Sequence, residues 1–183
     1  MSEYDEEWDE GLGRTAARGD HNDEPGQWMF IQATAFHEGA LRCLAPRVMA
    51  NGFAQIAAAP GVTCLAFAAE LYLKVLHTLS GPTPHGHRLQ DLFEPLSQTL
   101  RKSIEGRYER LTDPIAVNFS KDLEGISNTF VLWRYVFESD ETHLYVEHLQ
   151  YFAKAVFEEL VQLKPLWEPE DAKRFEEIPG LAG

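Results

Sequence analysis

Residues 60–93 read PGVTCLAFAAELYLKVLHTLSGPTPHGHRLQDLF, and this stretch decides the fold. Up to residue 79 it is apolar on every side of a predicted helix, with polar interruptions that include Thr63, Glu70, Lys74 and His77. A helix that is apolar all round has to lie in the middle of a helical bundle. A loop rich in proline and glycine follows, and it contains His85 and His87. Polar groups in apolar surroundings need partners, so these belong either to the bonding of the core or to a functional site.

Hydrophobic periodicity on both sides of this stretch predicts helices and no strand. The predicted helices span residues 28–51, 62–79, 97–111, 114–138 and 143–164, with a short one from residue 89. We therefore predict an all-α fold, an up-down helical bundle of about five to six helices. The basic residues of the 97–111 helix spread around its axis, which predicts a solvated face for Arg101, Lys102, Arg107 and Arg110.

Turn and capping residues predict where these helices begin and end. Pro46 is expected to kink or interrupt the first helix, and Asn51-Gly52 to end it. Ser97 or Thr99 is a candidate cap for the 97–111 helix. Asp113-Pro114 can cap and start the next helix, and a break is expected near residues 125–128.

The net charge of −13 is unevenly distributed and defines three regions. Residues 1–27 hold nine acidic and two basic residues, and we predict a flexible acidic tail there. Residues 28–165 are close to neutral and form the predicted bundle, while residues 166–183 form an acidic C-terminal tail. The acidity argues against broad, non-specific binding of nucleic acid. Trp8 and Trp167 leave open a purely structural bundle whose tails are the binding elements.

The sequence predicts a cytoplasmic protein. Its N-terminus is acidic where a signal peptide would be basic, and we expect no apolar run to reach the length of a membrane span. Cys43 and Cys64 lie in apolar helical patterns, without the spacing of a disulfide framework. We therefore expect no membrane association and a reducing compartment.

Metal and cofactor motifs are missing from the sequence. His143 and His148 lie about 140° apart on a helix, so they do not share a face. His85 and His87 have no acidic third ligand nearby. Glycine-rich phosphate loops and nucleophilic triads are also absent. We therefore expect no metal site and no cofactor.

One polar cluster remains as a candidate site: Glu70, Lys74, His87, Arg134 and Glu138. Glu70 and Lys74 are four residues apart in the favourable order for an ion pair, and so are Arg134 and Glu138. Arginine can bind a phosphate while histidine transfers a proton near neutral pH. The alternative is a buried ion-pair network that fixes the register of the helices.

Three segments together resemble the HEPN-domain family, the higher eukaryote and prokaryote nucleotide-binding domains. They are FAAELYLKVL, then Gly86-His87-x-Leu89-x-x-Leu92-Phe93, then Trp133-Arg134-Tyr135-x-Phe137-Glu138. The resemblance covers about residues 30–160. It implies an up-down helical bundle that is usually a homodimer.

The resemblance implies one of two roles. Many members look like metal-independent ribonucleases of toxin–antitoxin or antiviral defence systems, with an Arg, four to six residues and a His at the dimer interface. Other members bind nucleotides or partners. Here eight residues separate Arg134 from His143, which departs from that pattern. The expectation is thus a homodimeric module that binds a nucleotide or a protein partner, antitoxin-like or effector. The alternative is an endoribonuclease acting on RNA with Arg134 and His143 as catalytic residues.

Overall fold

A long central helix organises the domain, as the sequence predicts. The computed structural model describes residues 24–81, 84–112, 118–134 and 146–167, with Arg134 described by its backbone alone. The elements are α1 (Gln27–Leu44), β1 (Arg47–Val48), β2 (Ala54–Gln55), α2 (Ala58–Ser80), α3 (Leu89–Phe93), α4 (Gln98–Leu111), α5 (Phe119–Ile126), α6 (Thr129–Arg134), α7 (Val146–Leu163) and a 3-10 turn (Pro165–Trp167). The all-α class is confirmed for these residues.

Helix α2 lies at the centre because its apolar residues face several neighbours at once. It contacts α1, α3, α6 and α7. Its Tyr72 packs on Phe30 of α1 and on Phe157 of α7, and the rings of Phe30 and Phe157 stack 5.8 Å apart. Helix α2 begins four residues earlier than predicted, since Pro60 fits the first turn, where no backbone N–H is needed.

The length of α2 corrects one expectation from the sequence. The helix has 23 residues and is apolar enough to cross a membrane on length and composition alone. However, 61% of the most apolar 18-residue stretch of this helix is buried inside the fold. Burial against four neighbouring helices is typical of a core helix in a helical domain.

A short hairpin overturns the prediction that the first helix extends to residue 51 and that no strand exists. Helix α1 ends at Leu44 because Pro46 pushes Ala45 into an extended conformation. Strands β1 and β2 then pair antiparallel. Asn51-Gly52, interpreted from sequence as a helix stop, forms the turn, with Gly52 at φ 81° and Asn51 Oδ1 accepting from the Phe53 N–H at 3.1 Å.

The remaining boundaries agree with the sequence in part. Ser97 caps α4 by accepting from the Leu100 N–H. The expected break falls at residues 127–128, between α5 and α6. Helix α5 begins after Asn118, which caps it, whereas Asp113-Pro114 lies outside the described residues. Residues 1–23 and 168–183, which include most of both predicted tails, also lie outside them.

The predicted solvated face of α4 is wrong for Arg107. Its side chain is largely buried and its Nε donates to Glu159 of α7 at 2.9 Å. Ser103 donates to the same carboxylate. From the sequence, Arg107 could be placed only by its angle around the helix axis. The glutamate that pairs with it lies 52 residues later in the chain, so the pair was not predicted.

Helix α1 approaches α2 so closely that Gly61 should tolerate no side chain. A Cβ there would lie 2.8 Å from Leu44 Cγ. We expect Gly61→Ala to lower the free energy of unfolding by about 1–2 kcal/mol, because the overlap outweighs the gain in helix propensity. Gly106→Ala in α4 is the matched control, with only the tip of Arg110 nearby, and should raise it by about 0.5–1 kcal/mol. Urea unfolding of both variants measures the difference, and equal effects at the two sites would contradict the close approach.

Candidate functional site

The carboxylate of Glu70 is the centre of the candidate site. It lies in the middle of α2 and its side chain is only 1% exposed. Oε1 accepts a hydrogen bond from Lys74 Nζ at 2.7 Å, one helical turn away. His87 Nδ1 lies 3.0 Å from Oε1 and 3.1 Å from Oε2. Two partners therefore hold a charge that would be costly to bury alone.

His87 reaches Glu70 because the segment after α2 is anchored at several points. His77 Nε2 donates to the Leu92 carbonyl at 2.7 Å, which ties α3 to the end of α2. The Leu89 N–H donates to the Ser127 carbonyl at 3.1 Å, which ties α3 to the turn before α6. Gly86 adopts φ 114°, a conformation that favours glycine, immediately before His87.

The ring of His87 lies at the end of a row of aromatic side chains. Its centroid is 5.6 Å from that of Phe130 in α6. Phe130 stacks on Phe67 of α2 at 5.3 Å, and Phe67 meets Phe36 of α1 edge to face at 4.7 Å. We call these four residues the aromatic row. The row crosses three elements and supports the imidazole with apolar contacts, while 56% of the His87 side chain stays exposed.

The bond to Glu70 determines which nitrogen of His87 is available. Because Nδ1 carries the hydrogen donated to the carboxylate, Nε2 is the nitrogen left for other partners. Within residues 24–81, 84–112, 118–134 and 146–167, no hydrogen bond to Nε2 is found. A neutral His87 can take up a proton at Nε2, and a protonated one can donate to an anion. The site can thus perform proton transfer or bind a phosphate.

The structure brings together three of the predicted site residues, Glu70, Lys74 and His87. Arg134 is the last residue of α6, one turn after Phe130, which contacts His87. The side chain of Arg134, and all of Glu138 and His143, lie outside the described residues. Their participation stays a prediction. The described part of the chain contains no group of three or more His, Cys, Asp or Glu residues that could hold a metal ion.

A second polar cluster joins α4, α5 and α7 and was missed from the sequence. Tyr108 donates its hydroxyl hydrogen to Asp122 Oδ2 at 3.1 Å and lies 3.0 Å from His148 Nδ1. His148 Nδ1 is also 3.2 Å from Asp122 Oδ1. Burial and the negative charge of Asp122 raise the pKa of Tyr108. No local spacing could reveal this cluster, and the only signal was a tyrosine on the buried line of its helix.

A third set of polar groups lies in the core between α1 and α2. His37 Nδ1 is 3.3 Å from the Tyr72 hydroxyl, which donates to Thr34 Oγ1 at 3.4 Å. Thr34 in turn donates to the Phe30 carbonyl. Burial, and then the positive charge of Lys154, lowers the pKa of His37 to about 4. His37 is therefore neutral in the folded protein near pH 7.

The depressed pKa of His37 predicts a loss of stability in acid. In the unfolded chain His37 takes up a proton near pH 6.5, whereas in the folded protein it does so only near pH 4. The stability that neutral His37 contributes is therefore fully present above pH 6.5 and is lost as the pH falls from 6.5 towards 4. Between pH 7 and pH 4.5 the parent should lose about 2–3 kcal/mol more unfolding free energy than His37→Gln. Denaturant titrations across that range measure this difference, and parallel pH profiles would contradict the assignment.

Comparison with known proteins identified no similar family, protein or structure. No family model matches the chain, and neither a curated protein nor a solved structure matches it at a significant level.

Proposed function

We propose that this chain is a homodimeric helical module that binds a nucleotide at the His87 site. The observation that carries the proposal is the half-exposed imidazole of His87, oriented by the buried Glu70 carboxylate and supported by Phe130. The imidazole can bind an anion or exchange a proton, and it also presents an aromatic surface to a ligand. A nucleotide offers a phosphate for the imidazole and a planar base for the aromatic surface.

Two cationic residues could bind a phosphate at this site, one that shares the Glu70 carboxylate with His87 and one that follows His87 in the chain. Lys74 is 20% exposed and adjoins the same carboxylate. Arg88 follows His87 in the chain, and its guanidinium pairs with Asp91 at 3.2 Å while 46% exposed. An exposed pair of this kind is worth about 0–1 kcal/mol, so a phosphate can compete with Asp91 for Arg88.

The aromatic row favours a planar ligand. Phe130 contacts the His87 ring, and more than half of the His87 side chain remains accessible. A nucleobase stacking on this ring would extend a row that already crosses α1, α2 and α6. Stacking on an aromatic side chain contributes about 1–3 kcal/mol per base.

Exposed apolar residues on α6 support the dimer or a protein partner. Val131 is 44% exposed and Leu132 is 50% exposed, both next to Phe130. Apolar side chains clustered beside a candidate site are typical of interaction surfaces. In this proposal a second copy covers them, and a separate protein partner is the alternative.

Titration with AMP and GMP, each compared with its nucleoside and with inorganic phosphate, tests the proposal. His87→Ala should weaken nucleotide binding at least tenfold because it removes both the anion partner and the stacking surface. Glu70→Gln should weaken binding as well, since the imidazole loses its orienting charge. His85→Ala changes an exposed histidine of the same loop and should leave affinity unchanged. A monomer by sizing that binds no nucleotide would contradict the proposal.

A second candidate, a metal-independent endoribonuclease of a toxin–antitoxin or defence system, has one observation in its favour. A buried carboxylate that orients a histidine is a common acid–base arrangement, and Arg134 ends the helix that carries Phe130. In this reading His87 Nε2 removes the proton of a ribose 2′-hydroxyl, and the 2′-oxygen attacks the adjacent phosphate. The P–O5′ bond breaks, which leaves a 2′,3′-cyclic phosphate, and the released 5′-oxygen takes up a proton from the protonated His87 or from water. Arg134, with His143 as a further candidate, stabilises the developing negative charge.

Cleavage of single-stranded RNA in the presence of a chelator tests the second candidate. Arg134→Ala, His143→Ala and His87→Ala each should reduce the rate, by about 100-fold for a lost acid–base group. His85→Ala serves as the control and should cleave at the parent rate. A parent without activity, or three variants as active as the parent, would exclude the endoribonuclease.

A further inference from the structure

The hairpin after α1 exposes more apolar surface than its size can support. Every residue from 46 to 58 is exposed. Phe53 is 73% exposed, Val48 81%, Ile56 50% and Met49 45%. Strands of two residues cannot bury these side chains among themselves. We call residues 46–56 the apolar hairpin.

The apolar hairpin also lies in a stretch without negative charge. From residue 39 to residue 69 the sequence contains two charged residues, Arg42 and Arg47, although the whole chain carries −13. Arg47 is exposed on β1, and Arg42 is 73% exposed on α1, where it pairs with Glu38 at 3.2 Å. An exposed pair of this kind is worth about 0–1 kcal/mol, so another acidic side chain can compete for Arg42. The surface is thus apolar with a positive margin, and its complement is an acidic segment that contains large apolar side chains.

Residues 1–23 of the same chain have that composition. They include eight acidic and two basic residues, and the run EYDEEWDE at residues 3–10 places Tyr4 and Trp8 among the acids. We propose that this N-terminal segment docks on the apolar hairpin of its own chain, with Trp8 and Tyr4 against Phe53 and Val48 and with acidic side chains near Arg42 and Arg47.

The length of the segment is sufficient for this contact. The described chain begins at Glu24, which is held by an ion pair with Lys164 at the end of α7. The hairpin lies beyond the far end of α1, whose 18 residues span about 27 Å. Fifteen residues lie between Trp8 and Glu24, and the sixteen Cα–Cα steps of an extended chain reach about 53 Å. Attachment to the same chain also raises the effective concentration of the segment at the hairpin.

Charge favours this occupant over two others. A second hairpin would bring the like charges of Arg47 together. An anionic lipid surface would face a protein with a net charge of −13. Of these three occupants, the acidic N-terminal segment alone complements both the apolar side chains and the arginines.

A photo-reactive amino acid placed at residue 8 of the full chain tests the contact. With Trp8→p-benzoylphenylalanine, irradiation of a mixture of ¹⁵N-labelled and unlabelled protein should give cross-links to residues 46–56 within single chains. Phe53→Ser should reduce this yield at least fivefold. Leu166→Ser removes another exposed apolar side chain, 98% exposed, and should leave the yield unchanged.

Four outcomes would overturn the proposal. One is the absence of cross-links to the hairpin, and another is cross-links only between differently labelled chains. The third is unchanged hydrogen exchange at the backbone N–H groups of Gly52 and Phe53 when the six acidic residues of residues 3–10 are replaced by Asn or Gln. Docking instead predicts faster exchange in that variant, and faster exchange of the parent in high salt. Binding of the parent to anionic vesicles through the hairpin would favour lipid as the occupant and would also overturn it.

Discussion

The arrangement around the central helix depends on the buried carboxylate of Glu70. A carboxylate at 1% exposure requires partners, and Lys74 alone satisfies only one of its oxygens. His87 completes the arrangement, so the loop after α2 must return across the helix and place an imidazole at a defined point. The backbone conformation of Gly86, the position of α3 and the exposure of His87 are all consistent with this requirement.

The same helix supports both the core and the candidate site, with different sides. Tyr72 faces α1 and α7, within the packed aromatic centre. Phe67, Glu70 and Lys74 face α6 and the returning loop. Because the core side is closely packed, the site side is held in place by a rigid element. This division explains why polar residues recur on one stripe of an otherwise apolar helix.

Short sequence patterns correctly predicted the features that depend only on residues close together in the chain. The Glu70–Lys74 pair follows from a spacing of four residues, and the Ser97 cap and the break at residues 127–128 follow from capping and turn residues. Contacts between distant residues could not be predicted in this way. Tyr108, Asp122 and His148 come from three helices, and Arg107 pairs with an acid on another helix. The hairpin was missed because strands of two residues are too short to show alternation.

Helix α6 has a consequence for how the site responds to its surroundings. Its Phe130 contacts His87, and its exposed Val131 and Leu132 face outward one and two residues later. A molecule that binds those outer residues and shifts α6 would change the support of the imidazole. By thermodynamic linkage, a ligand at His87 would then alter the affinity of α6 for that molecule by the same factor. The short helix is therefore where ligand binding and protein association would be reciprocally coupled.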